Sequence, residues 1–322
     1  MLGPILRLDL PRRMANLKIP AVSVAATADG RAIETAAFGP VDNQTMFQAA
    51  SISKAVFAVA VMRLHEQGRL DIDAPTGALR LHGWKVPVTL RQLLSHTAGA
   101  NVHGFDGYPA GASLPTVEQI LRGAPPANSP KVKLKRLPGT CYDYSGGGFV
   151  LAQGIVTDTL GLDFHTLLRD LVLEPCGMRH STFEQELPPG ARFASGYRAD
   201  YRRVEGHYMR MPELAAAGLW TTPADLVRLS LELQRALRGE SALLRREALE
   251  MMLTPVKGSY GLGFELEGDI FGHSGSNVGY KSYWRMGRRS GAVAFMVNAE
   301  GPGVSALLNE LTDAIKAHPI LT

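Results

Sequence analysis

Two residues one helical turn apart carry the first chemical signal in this sequence. Ser51 and Lys54 stand in the segment Ser51-Ile52-Ser53-Lys54, and helical side chains three positions apart share a face, about 5–6 Å apart at Cβ. Such a lysine can take the proton of the serine hydroxyl, provided that burial keeps its amine neutral. The apolar run 55–61 predicts that burial. The spacing favours nucleophilic catalysis at Ser51, although a helix-capping serine beside a solvated lysine gives the same pattern.

A second candidate is Tyr144, which lies just before three glycines at 146–148. Glycines let the backbone approach a ligand closely. A tyrosine held there can act as a general base, as phenolate, or can pass a proton to a leaving group. A loop aromatic that packs beside a glycine turn gives the same pattern, so the assignment depends on the neighbouring signals.

The third candidate is the segment His273-Ser274-Gly275-Ser276. A strand that contains Gly275 leaves room for a substrate acyl group, and His273 can present a donor to it. The N–H of Ser276 can stabilise an oxyanion, and the N–H of Ser51, at a helix N-terminus, can supply a second donor. A single histidine in a strand is also compatible with a purely structural role.

The hydrophobic pattern predicts the elements that position these residues. A helix is expected from near Ser51 to Gly68, and Asp29-Gly30 between two short apolar runs predicts a hairpin. Further strands are expected at 260–266, 270–273, 280–286 and 292–298. Further helices are expected at 90–95, 117–121, 147–159, 164–173, 223–237, 245–253 and 304–317.

Strands at both ends of the chain with helices between them predict an α+β fold, in which an antiparallel sheet is flanked by helices. We expect residues 1–68 and 254–322 to form a sheet lobe that carries the nucleophile helix and the His-Ser-Gly strand. Residues 69–253 should form a mostly helical lobe that carries the Tyr-Ser-Gly loop. The length of 322 residues fits two lobes, with the site in the cleft between them.

The composition excludes several classes of protein. Apolar residues make up 45% and charged residues 20%, with a net charge of +4, which excludes an intrinsically disordered chain. No run of about 18 uncharged apolar residues occurs, so we expect no membrane-spanning helix. The basic segment Lys131–Arg136 is interpreted as a solvated loop or edge strand. We therefore expect no nucleic-acid partner.

Cysteine and histidine usage predicts neither a disulfide framework nor a metal site. Cys141 and Cys176 form no C-x-x-C pair, and the histidines lack ligand spacing, so no metal and no other cofactor is expected. His96 is interpreted as a structural residue of a turn. The first residues lack the pattern of a signal peptide, which predicts a cytoplasmic location, or a periplasmic one if the chain is a processed form.

The three motifs in this order resemble the class C β-lactamase-like superfamily, which includes penicillin-binding proteins, D-Ala-D-Ala peptidases and family VIII esterases. Segments 88–99, 173–178 and 217–226 are similar as well, and the resemblance covers residues 14–317. It implies the β-lactamase/transpeptidase-like fold and makes Ser51 the acyl-accepting nucleophile. It further implies that Lys54 and Tyr144 share the acid–base work and that the amides of Ser51 and Ser276 form the oxyanion hole.

Two departures from the family motifs bear on the substrate. The family's Tyr-x-Asn is Tyr144-Ser145-Gly146 here, and its Lys-Thr-Gly is His273-Ser274-Gly275. The first change removes the amide that grips the acylamino side chain of β-lactams, and the second weakens the cation that receives a substrate carboxylate. With these changes, the resemblance implies a carboxylic esterase that acts through an acyl-enzyme on Ser51.

Other functions stay open from the sequence. They are a β-lactamase or D-amino-acid peptidase or amidase, an acyltransferase, and a non-catalytic binding protein on the same scaffold. The expected partner is a small-molecule ester or amide, and the sequence does not indicate the oligomeric state. In addition to Gly146 and the third motif, we expect Tyr108, Trp220 and Tyr260 to line the substrate pocket because of their placement in the sequence.

Overall fold

Strands from both ends of the chain form one antiparallel sheet. The structure, a computed structural model, describes residues 2–6, 8–75, 87–316 and 321. The strands of this part are β1 (Val22–Thr27), β2 (Glu34–Phe38), β3 (Phe47–Gln48), β4 (Trp220–Thr221), β5 (Glu265–Glu267), β6 (Ile270–Asn277), β7 (Tyr280–Gly287) and β8 (Ala292–Val297). Six of them form a sheet of order β2-β1-β8-β7-β6-β5. Because β1 pairs with β8, the sheet joins the two ends of the chain, and the predicted α+β class is confirmed.

Helices cover both faces of this sheet. The α-helices of the described part are α1 (Gly3–Leu6), α2 (Leu10–Leu17), α3 (Ile52–Glu66), α4 (Leu90–Leu94), α5 (Val117–Arg122), α6 (Gly146–Leu160), α7 (Phe164–Leu168), α8 (Leu214–Ala217), α9 (Pro223–Arg238), α10 (Arg246–Met252) and α11 (Pro302–Lys316). A π-helix, Arg169–Leu173, continues α7. Successive strand residues point to opposite faces. Thus Val22 and Val24 pack in the cluster formed with α1, α2 and α11, whereas Ala25 packs in the larger core on the other face.

Helix α3 lies at the centre of that larger core. Its side chains from Ile52 to Met62 are all buried. A helix that is apolar on every side must be enclosed by other elements. It contacts β6 and β7 on the sheet side, and α7, α8 and α10 elsewhere. The predicted helix near Ser51 is confirmed, and its first turn is held against the sheet.

The strand predicted at 260–266 is wrong for most of its length, since β5 begins only at Glu265. The glycines of this segment explain the difference. Gly263 has a positive φ of 82°, and a Cβ there would clash with Ala58 of α3. The backbone at 261–263 therefore follows the surface of α3 closely instead of extending the sheet. Strand β6, in turn, is longer than predicted and reaches Asn277.

The segment 69–253 supplies helices to more than one part of the molecule. Helices α4, α5 and α6 pack on one another, and α6 packs on α8, as expected for a helical lobe. Helix α9, however, packs on β1, β7 and β8. The lobe boundaries stay a prediction, with α9 placed against the sheet. The arrangement brings the start of α3, the start of α6 and the strand β6 to one side of the sheet.

Candidate active site

The turn that precedes α3 presents Ser51 beside β6. Ala50 has a positive φ of 50°, an uncommon conformation for a residue with a side chain. The turn is held by Ala49, whose carbonyl accepts a hydrogen bond from the Ser282 hydroxyl (2.7 Å) and whose N–H donates to the Leu219 carbonyl (2.8 Å). A Cβ on Gly275 would overlap the Ala49 oxygen. Glycine at 275 therefore lets β6 approach the nucleophile turn, as its place in the third motif requires.

Ser53, the second serine of the first motif, stabilises this turn through hydrogen bonds of its hydroxyl. Its hydroxyl donates to the Ala50 carbonyl (2.5 Å) and accepts from the Leu219 N–H (2.9 Å). It is fully buried. This hydroxyl ties the strained turn to the segment that follows α8, so the serine has a structural function and Ser51 alone faces the cleft.

Lys54 carries a buried amine next to the Ser51 hydroxyl. Its side chain is 2% exposed, and Nζ donates to Ser51 Oγ (3.0 Å) and to the Ala216 carbonyl (2.8 Å). Burial lowers the pKa of Lys54 from 10.5 to about 7. The amine can therefore exist unprotonated at neutral pH, 3.0 Å from the hydroxyl whose proton it would accept. The burial predicted from the apolar run after Lys54 is present.

A buried carboxyl precedes α8, the helix whose Ala216 carbonyl binds Lys54. Glu213 has no exposed surface, and neither carboxyl oxygen has a hydrogen-bond partner within the described residues. Burial raises its pKa to about 7. The depressed pKa of Lys54, by contrast, follows from burial alone. Glu213 is thus not among the groups that set the pKa of Lys54.

Tyr144 faces Ser51 from the loop that precedes α6. Ser145 caps this helix, since its Oγ accepts the Gly148 N–H (2.9 Å), and the same hydroxyl donates to the Asn101 carbonyl (2.6 Å). The Tyr144 ring lies 5.0 Å from Lys54 Nζ. Burial raises the pKa of Tyr144 above its ordinary value, and the nearby Ser51 side chain only partly opposes this shift. The phenol therefore keeps its proton at neutral pH.

His96 packs against the Tyr144 ring and binds the backbone of the loop that carries it. It is 2% exposed, and its Nδ1 accepts the Ser145 N–H (3.1 Å). Its ring lies 4.2 Å from the Tyr144 ring and 4.8 Å from that of Tyr260, centroid to centroid. Burial, and secondarily the charge of Lys54, lowers the pKa of His96 well below its ordinary value. The neutral imidazole positions the Tyr144 loop, in agreement with the structural role inferred from the sequence.

His273 does not present a donor to the cleft, contrary to expectation. Its side chain is 1% exposed; Nε2 pairs with the Tyr260 hydroxyl (2.9 Å) and Nδ1 with the Ser274 carbonyl (2.6 Å). Burial lowers its pKa to about 4, although Glu265 opposes the shift. Because both ring nitrogens are occupied and the ring is neutral, His273 fixes the shape of the cleft floor instead of carrying a partial charge to a substrate.

The register of β6 and β7 leaves one backbone donor free for the cleft. A two-residue loop joins Asn277 to Tyr280, and such a loop closes on a hydrogen-bonded pair. Hydrogen-bonded and non-hydrogen-bonded pairs alternate along antiparallel strands. Ser276, opposite Lys281, therefore points its N–H away from β7, and β5 pairs only as far as Gly272. This N–H and that of Ser51, at the open start of α3, remain available as the expected oxyanion donors.

The three motifs meet at an open cleft of ≈ 740 Å³. Its lining includes the motif residues Ser51, Tyr144, His273, Ser274, Gly275 and Ser276. The other lining residues are His103, Gly104, Tyr142, Glu265, Lys281, Ser282, Tyr283, Ser305, Leu308 and Asn309. A second cavity of ≈ 530 Å³ adjoins the first and shares Tyr142 and Glu265 with it. The structure thus brings the three sequence motifs together at one place.

Four expected pocket residues lie away from the cleft surface. Trp220 is completely buried among Phe193, Tyr208 and Tyr280, because β4 runs through the core. Tyr108 is 3% exposed, and its hydroxyl accepts the Asn128 N–H. These side chains were placed in the pocket by sequence position alone, which does not give their direction.

Tyr260 and Gly146 support the cleft from beneath. Tyr260 is 2% exposed; it lines the adjoining cavity of ≈ 530 Å³ and contacts His273 and Tyr142 of the cleft. Gly146 donates its N–H to the His103 carbonyl (3.0 Å), and a Cβ there would press on the Phe105 ring. The glycine is thus needed for packing of the loop 103–105 on α6, and the prediction that it contacts substrate is replaced by this role.

Two charged side chains that the sequence motifs did not mark flank β6. Glu265 accepts a hydrogen bond from the Ser274 hydroxyl (3.2 Å) and pairs with Arg285. Burial raises the pKa of Glu265, but the positive charge of Arg285 and the hydrogen bonds from Ser274 act against it, and the pKa lies below its ordinary value. On the other side, Lys281 Nζ donates to the Ser276 hydroxyl (2.5 Å). The sequence could have indicated Lys281 through the two-residue hairpin loop between β6 and β7, because that loop places Lys281 opposite Ser276.

The described residues contain neither a candidate metal site nor a candidate membrane span. Within them, no group of three or more histidine, cysteine, aspartate or glutamate residues is arranged to hold a metal ion. No helix of the described ranges combines the length and the apolar character needed to cross a membrane.

The chain is similar in sequence to a known protein family and to several curated proteins. A family model described as beta-lactamase matches residues 9–317. PbpX of Bacillus subtilis (strain 168), named as a penicillin-binding protein, is 26% identical over 245 residues, which cover 73% of this chain and 57% of that protein. The chain spans about half the length of the curated relatives it matches first, 57% and 44%.

Solved structures are similar over nearly the whole chain. The crystal structure of SurE matches with a TM-score of 0.74 and 26% identity, over 96% of this chain and 74% of that one. The D-amino acid amidase from Ochrobactrum anthropi SV3, complexed with L-phenylalanine amide, matches with a TM-score of 0.79 over 98% and 99%. At 21% identity, the second likeness shows the fold alone.

The buried amine predicts a pH-dependent stability. Unfolded Lys54 binds a proton up to pH 10.5, whereas the folded residue binds it only up to about pH 7, so stability should rise between these values. From pH 7 to pH 10, the free energy of unfolding of the wild-type protein should increase relative to that of Lys54→Met by roughly 2–4 kcal/mol. Chemical denaturation at both pH values measures this difference.

The exposed Lys257 provides the matched control. The difference in unfolding free energy between the wild-type protein and Lys257→Met should not change with pH over the same range. A wild-type protein that gains no stability over Lys54→Met on raising the pH would show that the Lys54 amine is protonated in the folded state.

Proposed function

The chain belongs to the beta-lactamase family, and from that premise we propose that it hydrolyses small carboxylic esters through an acyl-enzyme on Ser51. Family membership places it in a serine hydrolase superfamily. The observation that carries the proposal is the Lys54 amine, buried, with its pKa near neutrality, and 3.0 Å from Ser51 Oγ. A nucleophilic serine needs a base in this position and in this protonation state.

Acylation begins with transfer of the Ser51 hydroxyl proton to Lys54 Nζ as Oγ attacks the ester carbonyl carbon. The N–H groups of Ser51 and Ser276 stabilise the negative charge that develops on the carbonyl oxygen. The bond from the acyl carbon to the alcohol oxygen then breaks. The departing oxygen takes a proton through the Tyr144 hydroxyl, which Lys54 reprotonates, so the alcohol leaves and the amine is neutral again.

Deacylation repeats these transfers with water. Lys54 takes a proton from the attacking water, and the tetrahedral intermediate collapses with loss of Ser51 Oγ. The proton returns to Oγ, through Tyr144 or directly from Lys54, and the carboxylic acid leaves. Because the raised pKa of Tyr144 keeps its phenol protonated, Lys54 is the base in both steps and Tyr144 is the relay. This assigns the two acid–base roles that the sequence left undivided.

The charges around β6 support an ester over a substrate with a carboxylate at the third motif. The position of the family's lysine is held here by neutral His273, and Ser274 is already hydrogen-bonded to the Glu265 carboxylate. A substrate carboxylate at this place would meet a like charge, which is only offset by Arg285. A neutral ester meets no such repulsion.

Substitution of the nucleophile tests the mechanism. Ser51→Ala should lower kcat/KM for p-nitrophenyl butyrate at least about 10³-fold, because no acyl-enzyme can form. Intact mass spectrometry should show one butyryl adduct on the wild-type protein and none on the variant. Ser276→Ala is the matched control, since it keeps the backbone N–H and should retain activity within a few-fold. A Ser51→Ala variant with full esterase activity would rule out the proposed nucleophile.

The pH profile tests the assignment of the base. The value of kcat/KM should fall about tenfold per pH unit below about pH 7 and level off above it, because the neutral amine is the active form. Lys54→Arg should be inactive at every pH, since a guanidinium cannot release its proton. Rates are corrected for uncatalysed hydrolysis with Ser51→Ala. A profile that is flat from pH 5 to pH 9 would exclude Lys54 as the base.

A second candidate, hydrolysis of amides or β-lactams that carry a carboxylate, is favoured by one observation. Lys281 lines the cleft beside the Ser276 hydroxyl and can receive an anionic substrate group. We expect the wild-type protein to prefer p-nitrophenyl butyrate over nitrocefin, and Lys281→Met to change ester turnover by less than about twofold. Comparable turnover of nitrocefin, together with a tenfold or larger loss in Lys281→Met, would establish the second candidate instead.

A further inference from the structure

An extended basic segment leads to the rim of the cleft. The backbone of 131–135 pairs with 99–101: the Lys135 N–H donates to the Gly99 carbonyl (2.8 Å), and the Asn101 N–H donates to the Lys133 carbonyl (3.0 Å). Val132 is 1% exposed and points inward. Because side chains of an extended segment alternate, the other set points outward. The segment is thus a held, strand-like edge with one buried and one solvent face.

The solvent face carries three cations in a row. Lys131, Lys133 and Lys135, the lysine row, are all exposed. Two residues of extended chain separate neighbours by about 6–7 Å. Within the described part of the chain, none of the three forms an ion pair with a carboxylate, whereas the next cation, Arg136, is paired with Asp143 (3.2 Å). The row is therefore a concentrated positive charge that no neighbouring acid neutralises.

Next to the lysine row, two apolar side chains project into solvent. Leu137 is 75% exposed and Tyr142 is 43% exposed. The turn between them is fixed, since the Gly139 N–H donates to the Thr97 carbonyl (2.7 Å) and the Thr140 hydroxyl to the Leu137 carbonyl (2.7 Å). A large apolar side chain on a well-held turn is poorly placed for water and well placed for an apolar layer.

We propose that the lysine row and Leu137 dock the protein on an anionic lipid surface, with the cleft at the contact. A bilayer offers anionic headgroups and, just beneath them, the apolar layer that Leu137 needs. A soluble polyanion would engage the lysines but leave Leu137 in water, so the side-by-side arrangement favours lipid. Tyr142 lines the cleft and lies five residues after Leu137. Docking in this way brings the site close to molecules dissolved in or released from the surface.

The test is binding of the full chain to vesicles. Sedimentation should show binding to phosphatidylcholine vesicles that contain about 30% phosphatidylglycerol, loss of binding in high salt, and none to phosphatidylcholine alone. Replacing the row by glutamine (Lys131→Gln, Lys133→Gln and Lys135→Gln) should lower the partition coefficient about 100-fold, about fivefold for each lysine. Leu137→Gln alone should lower it about tenfold at constant charge.

A matched triple variant shows whether binding depends on the lysine row itself or only on the net charge of the protein. Arg12→Gln, Arg203→Gln and Arg246→Gln remove three exposed cations elsewhere and should leave binding unchanged. Turnover of a soluble ester should be equal in all variants, which reports correct folding. Binding that is absent, or equal in both triple variants, overturns the proposal. Binding to soluble polyphosphate as tight as to vesicles, without any effect of Leu137→Gln, would replace the bilayer by a soluble polyanion.

Discussion

An amine enclosed without a counter-ion is the interaction on which the site depends. Lys54 keeps two neutral acceptors, Ser51 Oγ and the Ala216 carbonyl, and no carboxylate pairs with it in the described part of the chain. Burial alone lowers its pKa. An ion pair would hold the amine protonated and remove the base, so the apolar character of α3 on all sides is a chemical requirement as well as a packing one.

The sheet assembled from both ends of the chain helps to enclose the Lys54 amine. In the proposed mechanism, the turn that carries Ser51 must lie close to β6, which supplies the second oxyanion donor. The same turn must also lie against α8, so that Lys54 is enclosed. Pairing of β1 with β8 brings β6 and β7 alongside α3, and Ser282 on β7 then holds the Ala49 carbonyl. Ser53 completes the junction on the α8 side. Helix α3, packed between the sheet on one side and α7, α8 and α10 on the other, satisfies both demands at once.

The sequence predicted the motifs and most elements because these depend on local spacing. The face shared by Ser51 and Lys54, the apolar run after them and the strands at both ends are properties of neighbouring residues. Side-chain direction is not: Tyr108 and Trp220 are expected at the cleft from the sequence and are buried away from it, and His273 lines the cleft with both ring nitrogens already paired. Their orientation is decided by partners distant in sequence, such as Asn128 for Tyr108. The position of Lys281 opposite Ser276 can be predicted only from the register of β6 and β7, and the hairpin loop defines that register.

The proposed division of roles between Lys54 and Tyr144 rests on one physical fact, that both side chains are withdrawn from water, Lys54 completely and Tyr144 in large part. Desolvation disfavours the charged form of each group, so it lowers the pKa of the amine and raises that of the phenol. In the proposed mechanism, the loss of contact with water that suits Lys54 to act as the base therefore keeps Tyr144 from acting as one. His96 contributes by keeping the tyrosine loop in place with a neutral ring, since a second cation so close to Lys54 would itself oppose protonation of the amine during catalysis. The pKa values of Lys54 and Tyr144 are shifted in opposite directions by the same environment, and this difference suits the two residues to their proposed roles.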